Sequence, residues 1–216
     1  MIITVQRIKP ILPESSFTDI QSMETLFMEN NIEAFKRILD VSDNSTGGGT
    51  ASCVAGAMAA GLVGMVARLS MDKADLMPTA HYQRIAGRAE QLSRELFDGG
   101  RVDSEAFDAV RSAFKMPKET PEQKQTRNLA VQKAMLHCAE VPLANARKCR
   151  EVSNLAAQLA DKFNPNAASD LQCAQYLVSA GLKGCAANVR INLPGIKDSA
   201  MVQKLEAALM EILSGK

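Results

Sequence analysis

Residues 47–70 read Gly-Gly-Gly-Thr-Ala-Ser-Cys-Val-Ala-Gly-Ala-Met-Ala-Ala-Gly-Leu-Val-Gly-Met-Val-Ala-Arg-Leu-Ser. The large apolar side chains recur at helical spacing: Val54, Met58, Leu62, Met65 and Leu69. Ala57, Ala60, Gly61 and Gly64 make a second face, small enough for another helix backbone to approach closely. A helix apolar all round belongs in the middle of a bundle or at a subunit interface. From Ala51 to Leu69 it would span about 28 Å, long enough to cross a bilayer. Its Ala, Gly and Ser content favours a buried core helix instead, and no membrane partner is expected.

Upstream, Ser42 to Thr50 is a loop by composition, and Met23 to Leu39 reads as an amphipathic helix. Residues 1–17 read as an N-terminal appendage and 18–216 as one helical domain. Downstream, a helix is expected from Thr79 to Phe97, stopped by Gly99-Gly100. A short one follows, capped by Asp103 or Ser104, with Ala106, Phe107, Val110, Ala113 and Phe114 inward and Pro117 ending it. Thr120-Pro121-Glu122-Gln123 is a helix start of the capping-box kind, and its helix runs towards Phe163. Pro142 should kink or break that helix. Ser169-x-x-Gln172 is a second capping box, opening a helix to about Asn188. Asn192-Leu193-Pro194-Gly195 stops the chain, and a last helix covers Ser199 to Leu213. With no parallel-sheet pattern and no repeat, the fold class is all-α: a single-domain helical bundle of about six to eight helices.

Lys and Arg number 25 against 24 Asp and Glu, a net charge of +1 that argues against a dedicated nucleic-acid binder. Aromatics at 4%, with no Trp, leave few rings for bases to stack on. The five cysteines, Cys53, Cys138, Cys149, Cys173 and Cys185, are odd in number and without CxxC spacing. Neither a disulfide framework nor a zinc ribbon is expected, and the cysteines read as small buried apolar residues of a cytoplasmic protein. His81 and His137 stand far apart, so no metal site is expected. The start Met-Ile-Ile-Thr-Val is not a secretory signal.

Three segments can carry chemistry. Gly47-Gly48-Gly49-Thr50 opens directly into a helix, where backbone N–H groups and the helix dipole suit a carboxylate or phosphate. It is not a P-loop, and a flexible loop with Thr50 as N-cap explains it equally. In Asn164-Pro165-Asn166-Ala167-Ala168-Ser169-Asp170, capping accounts for Ser169 and Asp170 and leaves both asparagines free to face a ligand. In Asn188-Val189-Arg190-Ile191-Asn192, Arg190 suits a carboxylate or a surface ion pair. Asp103 reads as an N-cap, Lys73 as a partner of a helix C-terminus, and Lys118 beside Pro117 as solvated charge.

Taken together and in order, these segments resemble the cyclodeaminase/cyclohydrolase family of folate enzymes. The resemblance runs from about Ile32 to Leu213. Its marks are Gly47-Gly48-Gly49-Thr50, Met65-Val66-Ala67-Arg68-Leu69-Ser70 with Lys73, Asp103-x-x-Ala106-Phe107, Met116-Pro117-Lys118, Glu140-Val141-Pro142-Leu143, and the Asn164–Asp170 and Asn188–Asn192 segments. The family loop is usually Pro-Gly-Gly-Gly-Ser; here Thr46 and Thr50 replace its Pro and Ser.

The resemblance implies a cytoplasmic homodimer acting on a tetrahydrofolate derivative, with no metal and no tightly bound cofactor. Two reactions are implied: methenyltetrahydrofolate cyclohydrolase, expected first because no formiminotransferase domain is attached, and formiminotetrahydrofolate cyclodeaminase. A non-catalytic folate-binding module is a third expectation. Asp170, Asp103 and Lys73 are the implied proton shuttles. Asn164, Asn166, Asn188 and Asn192 are implied around the pterin. Arg190, Lys118 and the Gly47–Thr50 loop are implied around the glutamate tail.

Overall fold

The computed structural model describes residues 29–215 apart from 30, 34, 44, 45, 72, 74 and 75. The expected appendage at 1–17 and the first residues of the expected Met23–Leu39 helix lie outside the described residues; 31–33 and 35–39 are helical. Five long helices follow: α1 (Gly48–Ser70), α2 (Thr79–Phe114), α3 (Pro121–Gln158), α4 (Ala168–Asn192) and α5 (Ser199–Ser214). Two 3₁₀ turns, Pro165–Ala167 and Leu193–Gly195, flank α4, and the described residues contain no strand.

α1 is the axis of the bundle. It packs along α2 and α4, α3 packs across both of these, and α5 lies against α3. α1 and α4 are antiparallel. The Ser70 end of α1 meets Asn164 just before α4, and the Gly49 end meets Asn188 near the end of α4. The expected small face turns to α2, with Gly64 against Ala86 and Ala89, and it is Gly56 and Gly181 that let α1 and α4 approach. A methyl group at Gly56 would run into Cys149 and Leu96, and one at Gly181 of α4 would sit 2.9 Å from the Ser52 carbonyl oxygen. Val63, Val66, Ile85, Leu92, Leu96, Val152 and Val189 fill the core around these contacts. Met58 and Leu69, from the large apolar stripe, stay exposed. By length and composition α1 would pass for a membrane span, yet 67% of its most apolar window is buried inside the bundle.

The helix boundaries depart from expectation in four places. Gly99-Gly100 does not end a helix: α2 runs on to Phe114, and Asp103 is inside it rather than capping a new one. The two glycines cost about 1 kcal/mol each in helix propensity, but both sit under tertiary contacts. Gly99 lies against the buried Asn145, whose Nδ2 donates to the Gly99 carbonyl at 3.4 Å, and Gly100 lies against Thr50. On the continuous helix, Phe107 and Phe114 are 41% and 48% exposed, not inward.

α3 continues through Pro142 and ends at Gln158, short of Phe163. An interior proline costs roughly 3 kcal/mol, and here its ring is buried in the bundle core. The capping box at Thr120 and Gln123 forms as expected.

Ser169 and Gln172 form no capping box, because α4 already begins at Ala168 behind Ala167. The turn before it is organised by Asn164, whose Oδ1 accepts from the Asn166 backbone at 3.1 Å. α4 then runs to Asn192, beyond the expected Asn188, and α5 is capped by Asp198. Of the cysteines, Cys173 is exposed and the other four are buried.

Candidate active site

The loop before α1 enters the helix through Gly47, the N-cap, and no side chain caps it. The first-turn N–H groups of a helix have no partner within the helix. Thr50 is not the cap. It is buried in the first turn, and its hydroxyl donates to the Gly100 carbonyl at 3.0 Å, with Asp103 Oδ2 3.4 Å away. Thr46 and Ser104 share a hydrogen bond of 3.3 Å that ties the loop to α2.

Because α2 is continuous here, Asp103 faces α1 and α4 across the helix junction. Asn188 Nδ2 donates to Asp103 Oδ1 at 2.8 Å. A methyl group at Gly49 would collide with Asn188 Nδ2 and Asp103 Oδ2, so the first turn of α1 lies directly on this pair. Asn192, one turn beyond Asn188, donates from Nδ2 to the Asn188 carbonyl at 2.8 Å and to the Cys138 carbonyl of α3 at 2.9 Å.

These groups line a cleft of about 450 Å³, whose walls are Thr46, Gly47, Gly48, Gly49, Asp103, Phe107, Cys138, Asn188, Ile191 and Asn192. That volume suits a small organic ligand. Burial raises Asp103 to a pKa of about 6, against the lowering effect of its hydrogen bonds from Thr50 and Asn188. A carboxyl there exchanges a proton near neutral pH, as a general acid or base must. Burial, reinforced by the Asp103 charge, raises the Cys138 thiol to about 11 and keeps it protonated.

The structure thus brings together Gly47, Gly48, Gly49, Thr50, Asp103, Asn188 and Asn192 from three helices. Arg190 points into a neighbouring groove with Lys183 that shares Ile191 with the cleft, and it forms an exposed ion pair with Glu206 at 3.3 Å. Lys118 is exposed in the turn after α2, about 17 Å of helix beyond Asp103.

The remaining candidates lie at the far end of α1, about 33 Å of helix away. Lys73 is exposed there. Asn164 is tied to the end of α1: its backbone N–H donates to Ser70 Oγ at 2.9 Å, and its Nδ2 to the Leu69 carbonyl at 3.1 Å. Asn166 is exposed, and Asp170 is half-buried in the first turn of α4.

Phe107, Ile191 and Cys138 line the cleft but are not among the site residues expected from the sequence, although Phe107 and Ile191 lie in two of its marked segments. Phe107 is one turn beyond Asp103 on α2 and Ile191 one turn beyond Asn188 on α4, so each polar partner carries an exposed apolar neighbour on the same helix face. Helical spacing alone contained that signal, once α2 and α4 were read as continuous.

The family model described as formiminotransferase-cyclodeaminase matches residues 31–211. A methenyltetrahydrofolate cyclohydrolase of Methylorubrum extorquens is 39% identical over 185 residues, covering 83% of this chain and 89% of that protein. The formimidoyltransferase-cyclodeaminase of Rattus norvegicus is 27% identical over 191 residues; the match covers 88% of this chain and 35% of that longer protein. Among solved structures, the formiminotetrahydrofolate cyclodeaminase of Thermotoga maritima superposes with a TM-score of 0.71 at 29% identity. That match covers 81% of this chain and 83% of its counterpart.

Proposed function

This chain belongs to the formiminotransferase-cyclodeaminase family, and on that premise we propose that it is a methenyltetrahydrofolate cyclohydrolase. It would open the ring of 5,10-methenyltetrahydrofolate with water to give 10-formyltetrahydrofolate, without a tightly bound cofactor. The choice of reaction follows the Methylorubrum relative, covered over most of its length. The observation that carries the reading is the Asp103 carboxyl, poised at about 6 on the floor of the cleft and held by Asn188.

The methenyl substrate carries a positive charge shared by N5, the bridging carbon and N10. Ionised Asp103 attracts it and takes a proton from the attacking water, whose hydroxyl adds to the bridging carbon. Asn188 holds Oδ1 at 2.8 Å and Thr50 lies a looser 3.4 Å from Oδ2, so Oδ2 is the oxygen that carries the proton. Asp103 returns that proton to N5 as the bond from carbon to N5 breaks. The added hydroxyl loses its own proton as the formyl carbonyl forms. One water is consumed and one proton released. The uncapped start of α1 offers N–H groups to the oxygen on which charge develops. Phe107 and Ile191 wall the pterin ring, and Arg190 with Lys183 takes the glutamate tail.

A second reading, favoured by the Thermotoga structure, is the cyclodeaminase. There Asp103 works from its protonated form: as N10 closes on the formimino carbon, the imino nitrogen takes up the proton that N10 loses and the one Asp103 gives, and it departs as ammonia. Near-UV absorbance separates the two. Accelerated loss of the methenyl chromophore establishes the hydrolase; its appearance from the formimino compound, with ammonia, establishes the deaminase. Binding of either folate without turnover leaves a binding module.

The protein acts as a homodimer in this reading. Ala51, Ala55, Met58, Leu62, Met65 and Leu69 form an exposed or half-exposed apolar stripe along α1. Two such stripes paired about a two-fold axis perpendicular to α1 would run antiparallel. The Asn164–Asp170 segment and Lys73 of one subunit would then approach the cleft of the other, giving those residues a place near the substrate. Sedimentation of Met58→Glu protein tests this: a monomer is expected, and an unaltered dimer would rule out the α1 stripe as the contact.

A further inference from the structure

Pro142 lies inside α3 and is buried. It has no N–H, so the carbonyl four residues earlier loses its helical donor, and the ring pushes that carbonyl away from the helix axis. The carbonyl is that of Cys138, which accepts from Asn192 Nδ2 at 2.9 Å. A side-chain amide has two protons to donate. Asn192 gives one to the Cys138 carbonyl and the other to the Asn188 carbonyl, so both are committed. The Asn188 amide oxygen lies 3.5 Å from Asn192 Nδ2, the longer arm of the bond whose proton the Asn188 carbonyl shares. That arrangement turns the Asn188 NH₂ the opposite way, onto Asp103 Oδ1 at 2.8 Å.

We propose that Pro142 is a positioning residue: by leaving the Cys138 carbonyl open, it anchors Asn192, and through Asn192 it orients the Asn188 amide that holds Asp103. The proposal rests on Asp103 being the proton-transfer group of the reading above. It explains why an interior proline persists in α3 at the turn that faces the cleft. A proline that merely filled space would have no coupling to a side chain on α4.

Pro142→Ala supplies an N–H that competes for the Cys138 carbonyl. Three results are expected. The variant melts no lower than the parent, because alanine favours the helix. Its kcat/KM falls roughly five- to tenfold, the scale of coupling within one hydrogen-bond network. Placed on Asn192→Leu, it produces no further loss, since the donor it disturbs is already gone. Independent, multiplying losses in the double variant would overturn the proposal.

A readout without turnover is the Asp103 carboxyl titration followed by carbon NMR. Pro142→Ala and Asn192→Leu should both move it upward, because the charged form loses a hydrogen bond. An unmoved titration in both overturns the relay even if the protein turns over neither folate. Inertness of the parent towards both folates, with the titration shifted in the variants, would sink the folate reading and leave the relay standing. Should Pro142→Ala fail to fold, Asn192→Leu tests the same link with the proline in place, and an unmoved titration there is decisive against it.

Discussion

Asn188 Nδ2 lies 2.8 Å from Asp103 Oδ1 although 85 residues separate them in the chain. The bond joins the middle of α2 to the last turns of α4, and the first turn of α1 closes over it at Gly49. Among the described residues, the only carboxylate lining the cleft sits in this pair, so its chemistry is where the proposed function stands or falls.

Replacing Asp103 by Asn keeps the shape and removes the proton-transfer group. Turnover of methenyltetrahydrofolate should fall about 10²- to 10⁴-fold. In the parent, kcat/KM for hydrolysis should rise with pH through about 6 as Asp103 ionises, then level off. The variant should lack that limb. A pH profile that falls through the same range would mark the protonated form as the active one and favour the deaminase.

The same carboxyl predicts a gain in stability. Its folded-state pKa of about 6 is above the ordinary 3.8, so between those values the folded protein binds more protons than the unfolded chain. The stability contributed is full below pH 4 and is lost as pH rises through 6. Asp103→Asn escapes that loss. At pH 7.5 it should be more stable than the parent by about 1–3 kcal/mol, the gap closing towards pH 4. Denaturant unfolding at the two pH values measures it, and equal stabilities at pH 7.5 would refute a raised carboxyl.

Gly49 and Gly48 should respond oppositely to alanine. At Gly49 the methyl group meets both members of the pair, whereas at Gly48 nothing lies within 4 Å. Gly49→Ala should cost about 1–3 kcal/mol, the usual range for overpacking, and Gly48→Ala should not lower the melting temperature. Thermal unfolding of both decides the point.

Phe107→Ala and Ile191→Ala should separate binding from chemistry. Removing one apolar wall forfeits about 1–2 kcal/mol of ligand burial, or roughly five- to thirtyfold in KM. The pH limb near 6 should move only downward, because opening an apolar wall lets water reach a carboxyl that burial raises. A change in kcat, with KM unaltered, would place these side chains elsewhere in the reaction.

The helical periodicity of α1, the Thr120 capping box and the ordered motifs were legible in the sequence because each is local. The junction at Gly99-Gly100 was not. Those glycines read as a stop, and only the contacts with Asn145 and Thr50 explain why α2 runs through them. Asp103 reads as a cap for the same reason, though it lies inside the continuous helix. Pro142 reads as a break, since nothing in the neighbouring sequence announces Asn192, 54 residues beyond Cys138, as the donor to the carbonyl it frees. Nothing near Asn164 in the sequence announces its bonds to Ser70 and Leu69, 94 and 95 residues back. In each case the deciding partner is distant in sequence, beyond the reach of spacing rules.

The antiparallel pairing of α1 with α4 has a consequence for how the chain becomes active. Ser70 and Asn164 meet across 94 residues, so α2 and α3 form one long excursion that must be closed before α1 and α4 can join. Closing so long a loop costs entropy that local helix formation does not repay until the packing is complete. Gly49, Asp103 and Asn188 come from three helices that meet only at that closure. Catalytic competence therefore arrives in the same step as the finished topology, and a half-assembled chain is an inert one.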